Sequence, residues 1–546
     1  MAAAETEAST NELLLEEIEA HQDIDQSPVT KPELHTWYLF GATLDAVSYC
    51  CVSVFAPVIV QSLAAKHGST STDHSVPCDV SALDYKCDVR IGSTWIDTSS
   101  FVFACMVIAA ILQTVLFVAI GAVADTGAWR KSLLVIFAFI AAFVAILFPV
   151  VTRADQYWLA ALLFIVMNVF AGGAWVFLYA YLPILARSHV DYLTAAQATT
   201  ASSDSLHRTL DLVANRISTH SFVWMYSGTL FTLIFINAIL ALYIPASNLP
   251  ASYSAHVAVL FAGVILMAGV FYAFRFMRDR PGPPFPKGSS AITYSFKRGE
   301  YFLNFLIRIR GLTGFSAIAV WAALSNGRQL KHLFLFLLGW FMVSDAYNTL
   351  VSVAVLLSTQ LLGFTTKEVL IISIEAQLLA IPGTYLWNRF QVRMQWTTKS
   401  VLLFQTSLYA LMCFFVSIGT SPRTSFGYKH AAEVYVYAGL HGFTLGALQS
   451  TCRSLFASLL PPGHEGSFYS LYLLTDKGSS WIGPLIVTAI NGSGADKRYS
   501  FLFLGAQFCM GIFFFSLVDP TAGYREATKF AREQLRKSKV RFEVSA

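Results

Sequence analysis

The sequence predicts an all-α integral membrane protein with twelve transmembrane helices in two six-helix halves. Three observations predict it. Mean hydropathy is +0.57, with 55% hydrophobic and only 13% charged residues, against about 25% charged in soluble chains. Twelve apolar runs approach or exceed the length of about 20 residues that a helix needs to cross the hydrocarbon core. The largest break between them, residues 277–331, falls after the sixth run.

Residues 1–37 form an acidic N-terminal tail, expected to be disordered and cytosolic. The six runs of the N-terminal half (38–276) are 38–65, 98–124, 132–151, 157–185, 219–245 and 253–276. The first is too long for a signal-peptide core and is expected to stay as an anchor. The segment 188–218 is rich in Ser, Thr and Asp and reads as a mobile loop. The central cytosolic loop, 277–331, holds a proline-rich stretch at 281–286 that cannot be regular helix. Its residues 301–323 mix aromatic and aliphatic side chains with Arg308 and Arg310, as an interfacial amphipathic helix would.

The C-terminal half, 332–519, carries runs at 332–359, 367–387, 400–419, 431–456, 467–490 and 499–519, and a basic cytosolic tail follows at 520–546. With the N-terminus in the cytosol, the cytosolic segments hold about 25 Lys and Arg and the opposite side about ten, as the positive-inside rule requires. Both termini are then cytosolic. The basic clusters read as topology signals and as contacts for anionic lipid. A net charge of +4, thinly dispersed, excludes nucleic acid as a partner.

Six of the eight cysteines lie within apolar runs. Cys78 and Cys87 lie in the polar loop between runs one and two, on the non-cytosolic side, where a disulfide is plausible. Asn491 begins the sequon Asn491-Gly492-Ser493 on that same side, although very close to a run. No H-E-x-x-H, G-x-S-x-G or nucleotide-binding loop occurs, so neither an enzyme nor ATP-driven transport is expected. No metal or cofactor is implied.

Charged groups inside apolar runs are costly unless they pair or line a wet cavity. Asp476 and Lys477 stand side by side in run eleven, Asp45 in run one and Glu375 in run eight. Asp345 and Asn348 in run seven are three apart and share a helical face. Asn168 and Trp175 lie in run four. These eight residues are the candidates for substrate binding or proton coupling; for each, a structural ion pair or hydrogen bond is the alternative. Arg453, near the cytosolic end of run ten, suits a snorkelling or latch role. Asp97 is placed to cap the start of run two.

Between runs two and three, Gly121, Asp125, Arg130 and Lys131 follow the spacing G-x-x-x-D-x-x-x-x-R-K. This resembles the gating signature of major facilitator transporters. Gly121 permits close helix approach. Asp125 sits where it can pair with arginine or cap a neighbouring helix. The corresponding stretch after run eight, 388–393, lacks the acid. Residues 37–38, 96–101, 121–127, 344–349, 453–456, 460–465 and 475–484 together resemble the autophagy-related protein 22 family, fungal vacuolar effluxers of the major facilitator superfamily. Two departures stand out. Asp45 occupies a position where the family has Glu, and 220–228 is bulkier than the expected glycine-rich start of run five.

The resemblance implies a multi-pass vacuolar permease that exports amino acids, notably leucine and other apolar ones, freed by autophagy. In it an acid among Asp45, Asp345, Glu375 and Asp476 would meet the substrate ammonium, and Lys477 or Arg453 its carboxylate. Other readings stay open: a non-transporting nutrient sensor or scaffold of the same fold, or a transporter of another small solute. A monomer is compatible with the sequence.

Overall fold

The computed structural model describes residues 27–544 except 72–73, 79–86, 126–127, 199–202, 248–253, 283–328, 365, 480–482, 484–485, 488–489 and 491–495. Residues 1–26 of the N-terminal tail, the 301–323 segment and Asn491 lie outside the described residues, whereas 31–37, expected to be disordered, are helical and open the first helix.

The first helix, α1 (Lys31–Val47), starts where Thr30 accepts the Glu33 N–H at 3.4 Å, with Pro32 in the first turn, a position that tolerates the missing N–H. It runs through a π-helical stretch (Ser48–Phe55) into α2 (Ala56–His67). There Ser48 and Ser53 donate to the carbonyls of Leu44 and Ser48 at 2.9 and 3.2 Å. Such widened turns often mark functional sites. A short antiparallel sheet follows: β1 (Ser69–Thr70), β2 (Cys87–Ile91) and β3 (Thr94–Asp97), with Val89 opposite Ile96. Cys78 and Cys87 are disulfide-bonded beside it. Asp97 accepts the Ser100 N–H at 3.1 Å, capping α3 (Thr98–Ala124).

The remaining helices are α4 (Trp129–Leu147), α5 (Tyr157–Arg187), α6 (Val190–Gln197), α7 (Ser203–Ser247), α8 (Ser254–Phe276), α9 (Lys331–Leu362), α10 (Thr366–Met394), α11 (Thr398–Ile418), α12 (Ala431–Ser458), α13 (Glu465–Ser479), α14 (Tyr499–Leu517) and α15 (Pro520–Val544). Among the described residues, nine helical segments are long and apolar enough to cross a membrane. Three of the twelve expected runs are not among them: those on α10, α12 and α13. These carry polar residues that line the interior, such as Gln377, His441, Arg453 and Asp476, and the run on α13 is described as helix only over Glu465–Ser479.

Two expected loops are helical. Residues 203–218 open α7, because Leu206, Leu210, Val213, Ala214 and Ile217 recur at helical spacing and are buried. The basic tail forms α15, with Tyr524, Ala527 and Ala531 buried against the bundle. Arg280, counted in the basic central loop, is also buried. Its fork donates to both Glu33 carboxylate oxygens at 3.0 and 2.9 Å, tying the end of α8 to the start of α1.

Packing follows small residues. On α10 and α12 the backbones nearly touch: a Cβ on Gly442 would stand 2.3 Å from the Ala376 carbonyl oxygen, and one on Gly383 would stand 2.2 Å from that of Phe443. Close approach of this kind holds helices together where lipid supplies no hydrophobic drive. Large apolar side chains such as Phe103, Phe231, Phe271, Leu411 and Phe513 stay exposed on the outside, as a lipid-facing surface requires. The Gly442→Ala variant is expected to lose about 1–3 kcal/mol of stability, measured as thermal unfolding of the detergent-solubilised protein; an unchanged melting curve would contradict this packing.

Candidate functional site

Inside the bundle lies a cavity of about 460 Å³, lined from both sides of the central break: by α1, α3, α5 and α7 before it, and by α9, α10, α12 and α13 after it. This is within the range of about 300–1,000 Å³ typical of small-ligand sites. The walls are largely aromatic, including Trp175, Tyr179, Tyr226, Trp340, Tyr347 and Tyr472. Set among them are the charged Asp45, Asp476 and Arg453.

Of the eight sequence candidates, four line the cavity: Asp45, Trp175, Asn348 and Asp476. Asp45 accepts the Thr229 hydroxyl of α7 at 2.6 Å. Trp175 donates its indole N–H to Ser48 Oγ at 2.8 Å, fixing α5 against the π-helical stretch. Asp476 accepts the Ser344 hydroxyl, which also takes a 3.4 Å hydrogen bond from Asn348. The Lys477 backbone continues α13; its side chain lies outside the described residues.

The other three do not line the cavity. Asp345, expected to share a face with Asn348, is buried and accepts from Gln507 Nε2 at 2.7 Å and the Gly483 N–H at 3.1 Å. It joins α9 to α14, while Asn348, almost a full turn on, points inward. Asn168 accepts from Gln113, through its carbonyl at 2.7 Å and its side-chain oxygen at 3.0 Å. It positions a cavity residue without being one. Glu375 packs on Gly439, where a Cβ would meet its Oε1 at 3.1 Å.

Arg453 departs most from expectation. It does not snorkel: it is fully buried and lines the cavity. Its Nε donates to Ser218 Oγ at 3.1 Å and its Nη2 to the Ser218 carbonyl at 3.0 Å. Aromatic rings of Trp37, Tyr179 and Phe222 surround the guanidinium at 4.4–5.5 Å, a favourable cation–π setting.

A buried ionic cluster ties the ends of α3 and α5 to the start of α13. Asp125 accepts the N–H groups of Gly466 and Ser467 and the Ser467 hydroxyl, capping α13. Arg130 lies 3.5 Å from Asp125 and 3.3 Å from Glu465. Arg187 donates to Glu465 at 2.7 Å and to the Leu460 carbonyl at 2.8 Å. Every member is nearly inaccessible. Gly121 lies in the last turn of α3, and Lys131 reaches Asp279 at 3.8 Å. The sequence reading did not single out Glu465 or Arg187 as gate residues; an acid opening run eleven opposite a basic motif was the available signal.

The second half answers with a differently built contact. The acid missing after α10 is supplied by α7: Asp211 accepts the Thr398 N–H at 3.4 Å. Asn215 bonds Gln391 and accepts the Ser454 hydroxyl at 3.1 Å. These contacts gather at the same end of the bundle as the ionic cluster and the Arg453–Ser218 bonds.

Burial pushes the Asp125 carboxyl up to about 6, against the pull of Arg130. Burial acts upward on Glu465 too, but Arg130 and Arg187 hold it below the ordinary carboxylate range. A raised carboxyl favours the folded protein below its unfolded value, and this contribution is lost as pH rises through about 6. Glu465 contributes the reverse, a stabilisation lost at acid pH. Asp125→Asn should therefore flatten the melting temperature against pH between about 4 and 6; an unaltered slope would refute it. Glu465→Gln leaves Arg187 buried without its anion and Arg130 with Asp125 alone, and should cost about 3–5 kcal/mol in thermal unfolding.

The comparisons agree with this architecture. Residues 29–528 match the family described as "Vacuole effluxer Atg22 like". Autophagy-related protein 22 of Pyricularia oryzae is 28% identical, over 94% of this chain and 80% of the relative. That of Coccidioides immitis is 28% identical, over 93% and 90%. Among solved structures, the proton:xylose symporter XylE superposes with TM-score 0.58 at 12% identity, covering 90% of this chain and 97% of its own. The human organic anion transporter MFSD10 gives 0.54 at 12% identity, covering 90% and 100%. The family is one of effluxers and both structures are transporters, not enzymes. With a bundle of the major facilitator kind and a match over nearly its whole length, this multi-pass membrane chain belongs to the Atg22-like vacuole effluxer family.

Proposed function

We propose that this chain is a vacuolar-membrane permease that passes amino acids, leucine and other apolar ones, from autophagic breakdown to the cytosol by alternating access. The observation that carries the reading is the cavity lined by residues from both sides of the central break, with an ionic cluster that also joins the two sides. Aromatic walls suit an apolar side chain, and charges of both signs suit a zwitterion.

The twelve helices fall into two six-helix halves in this reading, with α10, α12 and α13 completing the spans. Lys and Arg bias places both termini and the end that carries the ionic cluster in the cytosol. The cavity then stands closed to the cytosol, and rocking of the halves breaks the Asp125, Glu465 and Ser218 contacts to release substrate there. The amino acid and surrounding lipid are the partners, and a single chain contains the whole pathway.

Efflux of labelled leucine, lysine and glucose from proteoliposomes, with and without an inside-acid gradient, tests this. Leucine should leave in preference to glucose, and acceleration by the gradient would add proton coupling. Efflux of glucose alone would assign another solute, and no flux from folded protein would favour a sensor role.

A further inference from the structure

Helix α15 follows α14 after only two residues, Val518 and Asp519, so its start is tied to the second half of the chain. Asp519 accepts the N–H groups of Thr521 and Ala522 at 2.9 and 3.1 Å, capping the helix. Its residues are mostly polar, yet Tyr524, Ala527 and Ala531 recur at helical spacing and are buried. A helix with so narrow an apolar stripe holds its place through a few specific contacts.

Those contacts fall on both sides of the central break. After the break, Gly523 lies so close to α12 and α9 that a Cβ would stand 2.4 Å from the Leu459 side chain and 3.0 Å from that of His332. Glu526 accepts the His332 N–H at 3.2 Å. Phe530 packs its ring on His464 and Phe468 at 5.7 and 6.5 Å, on either side of Glu465 in the ionic cluster. Before the break, the ring of buried Tyr524 lies 5.2 Å from that of His207 on α7, and its hydroxyl is 3.4 Å from the Tyr192 hydroxyl on α6. Arg525 donates to Asp204 of α7 at 2.7 Å. Both members of that ion pair are exposed, and such pairs contribute little. Tyr524 is therefore the main hold on the first side.

We infer that α15 is a latch across the two sides of the bundle: it stays with α9, α12 and α13, and opening of this end requires Tyr524 to leave Tyr192 and His207. The chain itself and the Gly523, Glu526 and Phe530 contacts hold α15 on one side, whereas one buried ring and one exposed ion pair hold it on the other. The first-side contacts are the ones that part. The ionic cluster crosses the same break, from Arg130 and Arg187 to Glu465, so the latch and the cluster open together. The latch needs the transporter reading above only for its effect on flux.

Ser454 is fully buried and donates to Asn215 of α7, so a cysteine there reports opening at this end. Maleimide labelling of Ser454→Cys in the full-length protein in nanodiscs, with exposed Cys509 replaced by Ser, tests the latch. Adding Tyr524→Ala should speed labelling about fivefold or more, a coupling of ordinary size; Tyr524→Phe, which keeps the ring, should stay near the parental rate. A second measurement serves if Tyr524→Ala does not fold. A short bismaleimide joining Tyr192→Cys to Tyr524→Cys ties the two sides and should stop leucine efflux from proteoliposomes relative to the same unbridged protein. The same reagent joining His332→Cys to Glu526→Cys, both after the break, should leave efflux unchanged. Equal labelling in folded Tyr524→Ala and its parent would overturn the latch, as would full efflux through the Tyr192–Tyr524 bridge; the transporter reading survives either result. No leucine efflux from any unbridged protein would sink the transporter reading, and the labelling rates would then decide the latch by themselves.

Discussion

The structure depends on a buried ionic cluster that joins residues far apart in the chain. Asp125 and Arg130 follow α3, Arg187 ends α5, and Glu465 opens α13. Two guanidinium groups and two carboxylates at that depth are tolerable only together, because each supplies the counter-charge that water would otherwise give. Asp125 adds a second tie by capping α13 through two backbone N–H groups. The helix end and the ion pairs thus form one unit. The Arg280–Glu33 pair anchors the same end to the start of α1.

The two gate contacts differ in chemistry. The contact around α13 is ionic. The one around α11 rests on Asp211, Asn215, Gln391 and Ser454, with one acid among neutral polar groups. An ionic seal is stronger when closed and leaves more desolvated charge to rehydrate when it opens. A neutral amide and hydroxyl network loses less on separation.

The cavity combines rigid and adaptable walls. Trp175 and Asn168 are pinned by hydrogen bonds that fix α5 to α1 and α3. The π-helical stretch at Ser48–Phe55 lies against the same space, with Ser48, Tyr49 and Ser53 in the lining. A widened turn breaks the regular ladder, so this part of α1 can change its hydrogen bonding without unwinding the helix. Glycine contacts between α10 and α12 bring the backbones together on the opposite wall.

Much of the fold was legible because membrane insertion is decided locally: an apolar run near the required length, basic loops and a motif at a helix turn are properties of neighbouring residues. The spacing of Gly121, Asp125, Arg130 and Lys131 pointed from sequence alone to the turn where Asp125 and Arg130 enter the buried ionic cluster. Local composition misled at 203–218 and 520–544, where polar surface residues outweighed a narrow buried stripe that only packing reveals. The same limit applied to the site. Asp345 and Asn348 are three residues apart, yet one binds Gln507 and the other faces the cavity, because the outcome depends on which helices stand on either side. Arg453 read as a snorkelling or latch residue by its place in the run; it is fully buried, lines the cavity and bonds Ser218. The sequence by itself determined that charge would lie within the membrane; only the tertiary structure decided which charges neutralise one another and which are left facing the cavity, since pairing depends on distances between helices that no local pattern encodes.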